Sequence, residues 1–113
     1  MKLTSLESVP QTVTSHAKAG KKHVLIEQGV IKGLQQFSQT TFDPGETVEK
    51  HMHEDMYEIF LVETGNAIFH INDALQPVKQ GDCLVVEPGE YHEVTDIGSQ
   101  GLTLTYFCLE NIR

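Results

Sequence analysis

The sequence predicts an all-β fold, a sandwich or a barrel. Short runs of strand-forming residues recur along the 113-residue chain, turn signals separate them about every ten residues, and no stretch holds an apolar helical period over three turns. The length suits one packed core and not two. One domain is therefore expected over residues 21–113, preceded by an N-terminal arm over residues 1–20.

The arm is rich in Thr, Ser and Lys and ends in Ala19-Gly20. It reads as a loose arm or an edge strand able to pack against a partner subunit. Residues 22–27 (KHVLIE) have a short β-branched centre and read as a strand. Residues 34–42 (LQQFSQTTF) form a second strand, closed by the turn residues Asp43-Pro44-Gly45. Its Gln, Ser and Thr side chains imply that one face meets water, outside or in a pocket.

Residues 57–63, a turn at Thr64-Gly65-Asn66 and residues 67–71 read as a hairpin. Glu58, Phe60 and Val62 share one face and Tyr57, Ile59 and Leu61 the other; both are largely apolar, so burial on both sides is expected. Asn72-Asp73 turns the chain, Pro77 confines residues 74–79 to an edge or bulge, and Gln80-Gly81-Asp82 turns it again. Residues 83–87 are a strand, Pro88-Gly89 a turn and residues 91–95 a strand. The last strand, residues 101–110, alternates Leu102, Leu104, Tyr106 and Cys108 against Thr103, Thr105, Phe107 and Leu109.

Acidic residues outnumber basic ones 16 to 8, giving a net charge of −8, and no basic cluster exceeds Lys21-Lys22. Phosphate binding needs clustered positive charge, so nucleic acid is not an expected partner. No apolar run approaches the roughly 20 residues that span a bilayer, and the start is too polar for a secretory signal; the cytoplasm is the expected location, with no membrane partner. Cys83 and Cys108 lack a CxxC spacing and read as buried strand thiols.

The stretch GETVEKHMHEDMYEIFLVETG, residues 45–65, carries the chemistry. On a strand His51 and His53 project to one face while Met52 points away. HEDMY is long enough for the chain to turn and bring Glu58 back on the neighbouring strand, facing the same ion. Imidazole and carboxylate donors suit a divalent transition metal: iron, manganese, nickel, cobalt, zinc or copper.

These residues resemble a known pattern. Gly45, five residues, His51-Met52-His53, four residues, Glu58, six residues and Gly65 match the first motif of the cupin superfamily at every fixed position. Residues 81–96 resemble the second, in their glycine, the Pro88-Gly89 turn and His92. Two positions depart: Glu87 stands where the family often has proline, and Asp96 where it often has asparagine. The resemblance covers roughly residues 33–109. It implies a small single-domain cupin, a jelly-roll (double-stranded β-helix) barrel whose metal is held by His51, His53, Glu58 and His92. A histidine that follows a Pro-Gly turn and opens a strand fits that role independently of the family.

His70 reads as a hydrogen-bonded structural histidine, His16 and His23 as surface residues, and Glu54 and Asp55 as loop charges. Met52, Met56, Phe60 and Phe69 are core material unless they face the cavity. Tyr91, Tyr106 and Phe60 are the pocket candidates, and no catalytic acid or base is assignable. Four protein ligands on a six-coordinate ion leave about two positions open. The resemblance implies a metal-dependent enzyme on a small molecule, such as a dioxygenase; a non-catalytic binding or sensing protein and a redox-neutral isomerase or decarboxylase are the alternatives. No GxSxG elbow, phosphate loop or informative Cys-His pair points elsewhere. The arm and outward-facing Ile59 and Leu61 give an exposed edge something to pair with, so a homodimer is expected.

Overall fold

A computed structural model describes residues 1–14 and 19–112; the expectation for His16 falls outside them. The strands are β1 (Gln11–Thr12), β2 (Lys21–Ile26), β3 (Leu34–Phe42), β4 (Val48–His51), β5 (Met56–Ile71), β6 (Ala74–Lys79), β7 (Cys83–Val86), β8 (His92–Thr95) and β9 (Leu102–Glu110). The described residues contain no helix, so none is long and apolar enough to cross a membrane. All pairings are antiparallel, in the order β1-β2-β3-β9-β5-β8-β4, with β6 and β7 also on β5. The sheet curls on itself as a jelly-roll barrel, and the arm supplies β1 as a short edge strand.

The expected hairpin at residues 57–71 is instead one 16-residue strand, β5. Its first half pairs with β9 and β7 and its second half with β6 and β8, so one strand serves both faces of the barrel. Thr64-Gly65-Asn66 is where it passes from one to the other. The register shifts between Val62 and Thr64, and Gly65 has φ +86°. A Cβ at Gly65 would overlap the Gly101 carbonyl oxygen, so glycine here permits close backbone approach rather than reversal. Backbone hydrogen bonds hold the bend: Val62 N–H donates to the Asp82 carbonyl and Gly98 N–H to the Asn66 carbonyl, at 2.9 and 3.0 Å.

Burial on both sides also fails for β5. Glu58, Phe60 and Val62 are buried, but Leu61 on the outer face is exposed and Tyr57 and Ile59 are half-buried. The inner faces meet in a core of Phe42, Phe60, Val62, Phe69, Leu102 and Leu104, among others. Register explains the polar residues of β3. Ser38 pairs with Tyr106 and Thr40 with Leu104, and cross-strand partners share a face, so Ser38 and Thr40 point inward and are fully buried. Thr40 Oγ1 and the Tyr106 hydroxyl are hydrogen-bonded at 3.0 Å.

Parity also corrects one cysteine. On β7, Leu84 and Val86 face inward, leaving Cys83 and Val85 exposed; Cys108 is buried as expected. Pro77 does lie on an edge strand, since β6 pairs only with β5. Both departures from the second motif have local causes. Asp96 has φ +55°, a left-handed conformation that Asp and Asn both tolerate. Glu87 donates its backbone N–H to Glu90 Oε1 at 2.8 Å, a bond proline could not make.

Candidate metal centre

Three segments converge on one end of the barrel. The turn after β3, closed by Glu46 N–H donating to the Asp43 carbonyl, leads into β4, which ends at His51. His53 lies two residues beyond that end, and its carbonyl accepts the Gly89 N–H at 2.8 Å, tying it to the Pro88-Gly89 turn. That turn delivers His92 as the first residue of β8, directly opposite His51, with ring centroids 4.1 Å apart. Glu58 does not return on a strand neighbouring β4, whose partner is β8. It reaches the histidines from across the barrel, where β5 pairs it with Cys108 and Val86.

One potential ligand atom from each of His51, His53, Glu58 and His92 lies within 4.8 Å of all the others. Glu58 Oε1 stands 3.0 Å from His92 Nε2 and 3.3 Å from His53 Nε2. Two imidazoles have their tautomers set by backbone carbonyls, which can only accept. His51 Nδ1 donates to Glu49 at 2.7 Å and His92 Nδ1 to Glu90 at 3.1 Å, leaving each Nε2 with a lone pair to offer.

The buried pair Glu58 Oε1 and His92 Nε2 tests whether a metal ion fits. Neither atom has an aligned hydrogen-bond partner, although they lie 3.0 Å apart. Two facing acceptors repel unless a cation lies between or beside them. Donors about 2.1 Å from a shared ion, at right angles, stand about 3.0 Å apart, so the spacing suits adjacent ligands of one ion. With a metal absent, a proton is the alternative cation. Burial disfavours charge on His92, but Glu58 and then Glu90 outweigh it and raise the imidazole above its ordinary value. Burial likewise opposes ionisation of Glu58, yet His92, His53 and His51 together hold its carboxyl below the usual range.

The cluster opens onto a cavity of about 250 Å³, roughly eight water volumes. Phe60 and Tyr106 line it, as do Phe69 and Met56. Tyr91 does not: it is 48% exposed, and Lys50 Nζ sits 5.4 Å from its ring centroid. Burial pushes the Tyr106 phenol up to about 12, and burial with the Glu58 charge does the same to the Cys108 thiol. Both are proton donors at neutral pH, and Cys108 Sγ–H donates to Glu58 Oε2 at 3.8 Å. His70 is hydrogen-bonded to Thr95 Oγ1 at 2.7 Å. His23 is half-buried rather than on the surface, and Glu54 and Asp55 are exposed loop charges.

The cavity also holds Lys22, which the strand reading does not place there, and Gln36, from the strand whose polar side chains imply a face meeting water outside or in a pocket. The signal was cross-strand register. Lys22 pairs with Thr40, and Gln36 with Cys108, so both share a face with inward residues.

Residues 38–108 match the model of the cupin domain family. The chain belongs to the cupin family. This cupin is similar to the oxalate-binding protein of Thermotoga maritima, with 29% identity over 107 residues, covering 90% of this chain and 88% of that protein. Among solved structures it is similar to a predicted oxalate decarboxylase from Thermotoga maritima, at 22% identity and a TM-score of 0.87 over 97% of this chain and 100% of that one. It is also similar to the polyketide cyclase RemF from Streptomyces resistomycificus (19%, TM-score 0.79, 97% and 79% of the two chains). KdgF from Halomonas sp. gives 14% identity and a TM-score of 0.77 over 100% of this cupin and 96% of that chain. At these identities the solved structures share the fold.

Proposed function

We propose that this cupin binds one divalent transition metal through His51, His53, Glu58 and His92 and uses the ion to hold a small oxygen-chelating carboxylate of the oxalate class. The observation carrying this reading is the buried pair of acceptors, Glu58 Oε1 and His92 Nε2, 3.0 Å apart with no aligned hydrogen bond. The name of the Thermotoga maritima relative supports the ligand class, and the cavity volume suits a small molecule. A bound ion would supply Lewis-acid polarisation of the ligand's oxygens and exchangeable coordination positions. Glu58 turns Oε1 toward the imidazoles and Oε2 toward Cys108, an arrangement that favours ligation through one oxygen.

A metal-dependent enzyme acting on the same ligand is the second reading. The protonated Tyr106 and Cys108 in the cavity favour it, because a decarboxylation ends with proton delivery to carbon and needs a donor there. A dioxygenase would instead need one coordination position kept for dioxygen, which a bidentate carboxylate fills. Homodimer formation is proposed with either reading, on the exposed apolar residues Leu3, Val13, Val30 and Ile31 at the arm and the β2–β3 connection; a concentration-independent monomer in sedimentation would refute it.

The site is tested by elemental analysis of the purified protein and of His53→Ala. About one metal ion per chain is expected in the first and a large loss in the second. Full metal content in the variant overturns the assignment.

A further inference from the structure

Lys22 is an unusual occupant of this cavity. Its register with Thr40 turns it inward from β2, it is half-buried, and among the described cavity-lining residues it is the one lysine or arginine. No carboxylate among the described residues lies within ion-pair distance of its Nζ; the lysine ion pair there is the surface contact of Lys79 with Asp82. Burial holds its ammonium below the ordinary lysine value, only partly countered by Cys108, Glu27 and Glu58. A cation drawn into an apolar-walled cavity is costly unless a partner compensates it. The described residues supply no such charged partner at contact distance, so the compensating charge is one the cavity is built to receive.

We infer that Lys22 is the anion-recognising residue of this site, pairing with a carboxylate oxygen of the ligand held by the His51, His53, Glu58 and His92 cluster, and that it selects dianionic small carboxylates over chelators of lower charge. This rests on the metal-chelate reading above. Lys22 presents three donors on a flexible stem, so it can follow a carboxylate without fixing its orientation, while the histidine and Glu58 side determines where the ligand sits. The exterior's excess of carboxylates gives a dianion no comparable partner. Selectivity then comes from two groups on different strands, the cluster for chelation and Lys22 for charge.

The test is calorimetric titration of the manganese-loaded protein with oxalate and with acetohydroxamate, a bidentate oxygen chelator of lower charge, for the natural chain, Lys22→Met and Lys22→Arg. Metal content and melting temperature are measured alongside. Lys22→Met should keep both and bind oxalate about ten- to a hundredfold more weakly, the range for a lost charge-assisted hydrogen bond. Its affinity for acetohydroxamate should change by less than about threefold, and Lys22→Arg should recover much of the oxalate affinity. Undiminished oxalate binding by metal-replete Lys22→Met overturns the role of Lys22 and leaves the metal-chelate reading standing. Failure of the natural, metal-loaded protein to bind either chelator overturns both.

Discussion

Removing the metal should lower the melting temperature by about 11 °C without unfolding the barrel. The ion would join the end of β4, the start of β8 and the first half of β5, which reaches the site from across the barrel. An ion at about 100 times its dissociation constant stabilises the native state by about 2.7 kcal/mol. Unfolding entropy of about 2.1 cal/mol/K per residue gives about 0.24 kcal/mol/K for this chain, and the quotient is about 11 °C. The barrel should survive because its core of Phe42, Phe60, Val62, Phe69, Leu102 and Leu104 closes without any ligand residue. Calorimetry of zinc-loaded and chelated protein at equal concentration reads the difference, with His53→Ala as the control that should shift much less. Identical melting curves would refute the bridge. Loss of the cooperative transition on chelation would refute the independent core.

The metal-free protein should be most stable, as far as Glu58 and His92 decide it, between about pH 4.5 and 6.5. The lowered Glu58 contributes stability that is present above its unfolded value of 4.5 and lost as pH falls through its folded value; the raised His92 contributes stability present below 6.5 and lost as pH rises through its folded value. Urea midpoints against pH check this, and His92→Gln should flatten the alkaline limb. Gly65→Ala should cost about 3 kcal/mol or more in urea unfolding, because φ is +86° and the new methyl meets the Gly101 carbonyl oxygen; a cost below about 1 kcal/mol would mean the bend relaxes freely. Cys108→Val removes the donor to Glu58 Oε2 and should weaken metal binding about tenfold, read by competition with a chromophoric chelator.

Strand positions and the ligand spacing were legible in the sequence because both depend on local order. The Leu102, Leu104, Tyr106, Cys108 alternation is a two-residue period, and it faces inward in the fold. The turns at Pro44-Gly45, Asn72-Asp73 and Pro88-Gly89 are where local chemistry put them. The role of Gly65 is not legible, because a glycine flanked by polar residues looks the same whether it reverses a chain or lets one strand pass close to Gly101; only the partners of the two halves of β5 tell these apart. Cys83 is a smaller miss. Residues 83–86 are apolar at every position, so the sequence does not tell which parity faces inward; the structure turns Leu84 and Val86 in and Cys83 out. Lys22 was not legible at all, since its inward aim depends on a register with Thr40 that no local pattern encodes.

The charge of the whole chain and the charge of the cavity point to different ligands, and the fold reconciles them. With a net charge of −8 the exterior disfavours polyanions, which must lie along a surface to bind. Glu58 is the one buried acidic side chain among the described residues, and three imidazoles surround it. Exterior carboxylates act on a buried ligand through water and salt, with a screening length of about 8 Å. Inside the cavity, Lys22 and a metal ion held by the cluster would act at contact distance in a lower dielectric. A small dianion that enters therefore experiences a positive interior within an acidic protein. The same acidic excess that disfavours a polyanion along the surface would leave a small carboxylate free to bind in the cavity.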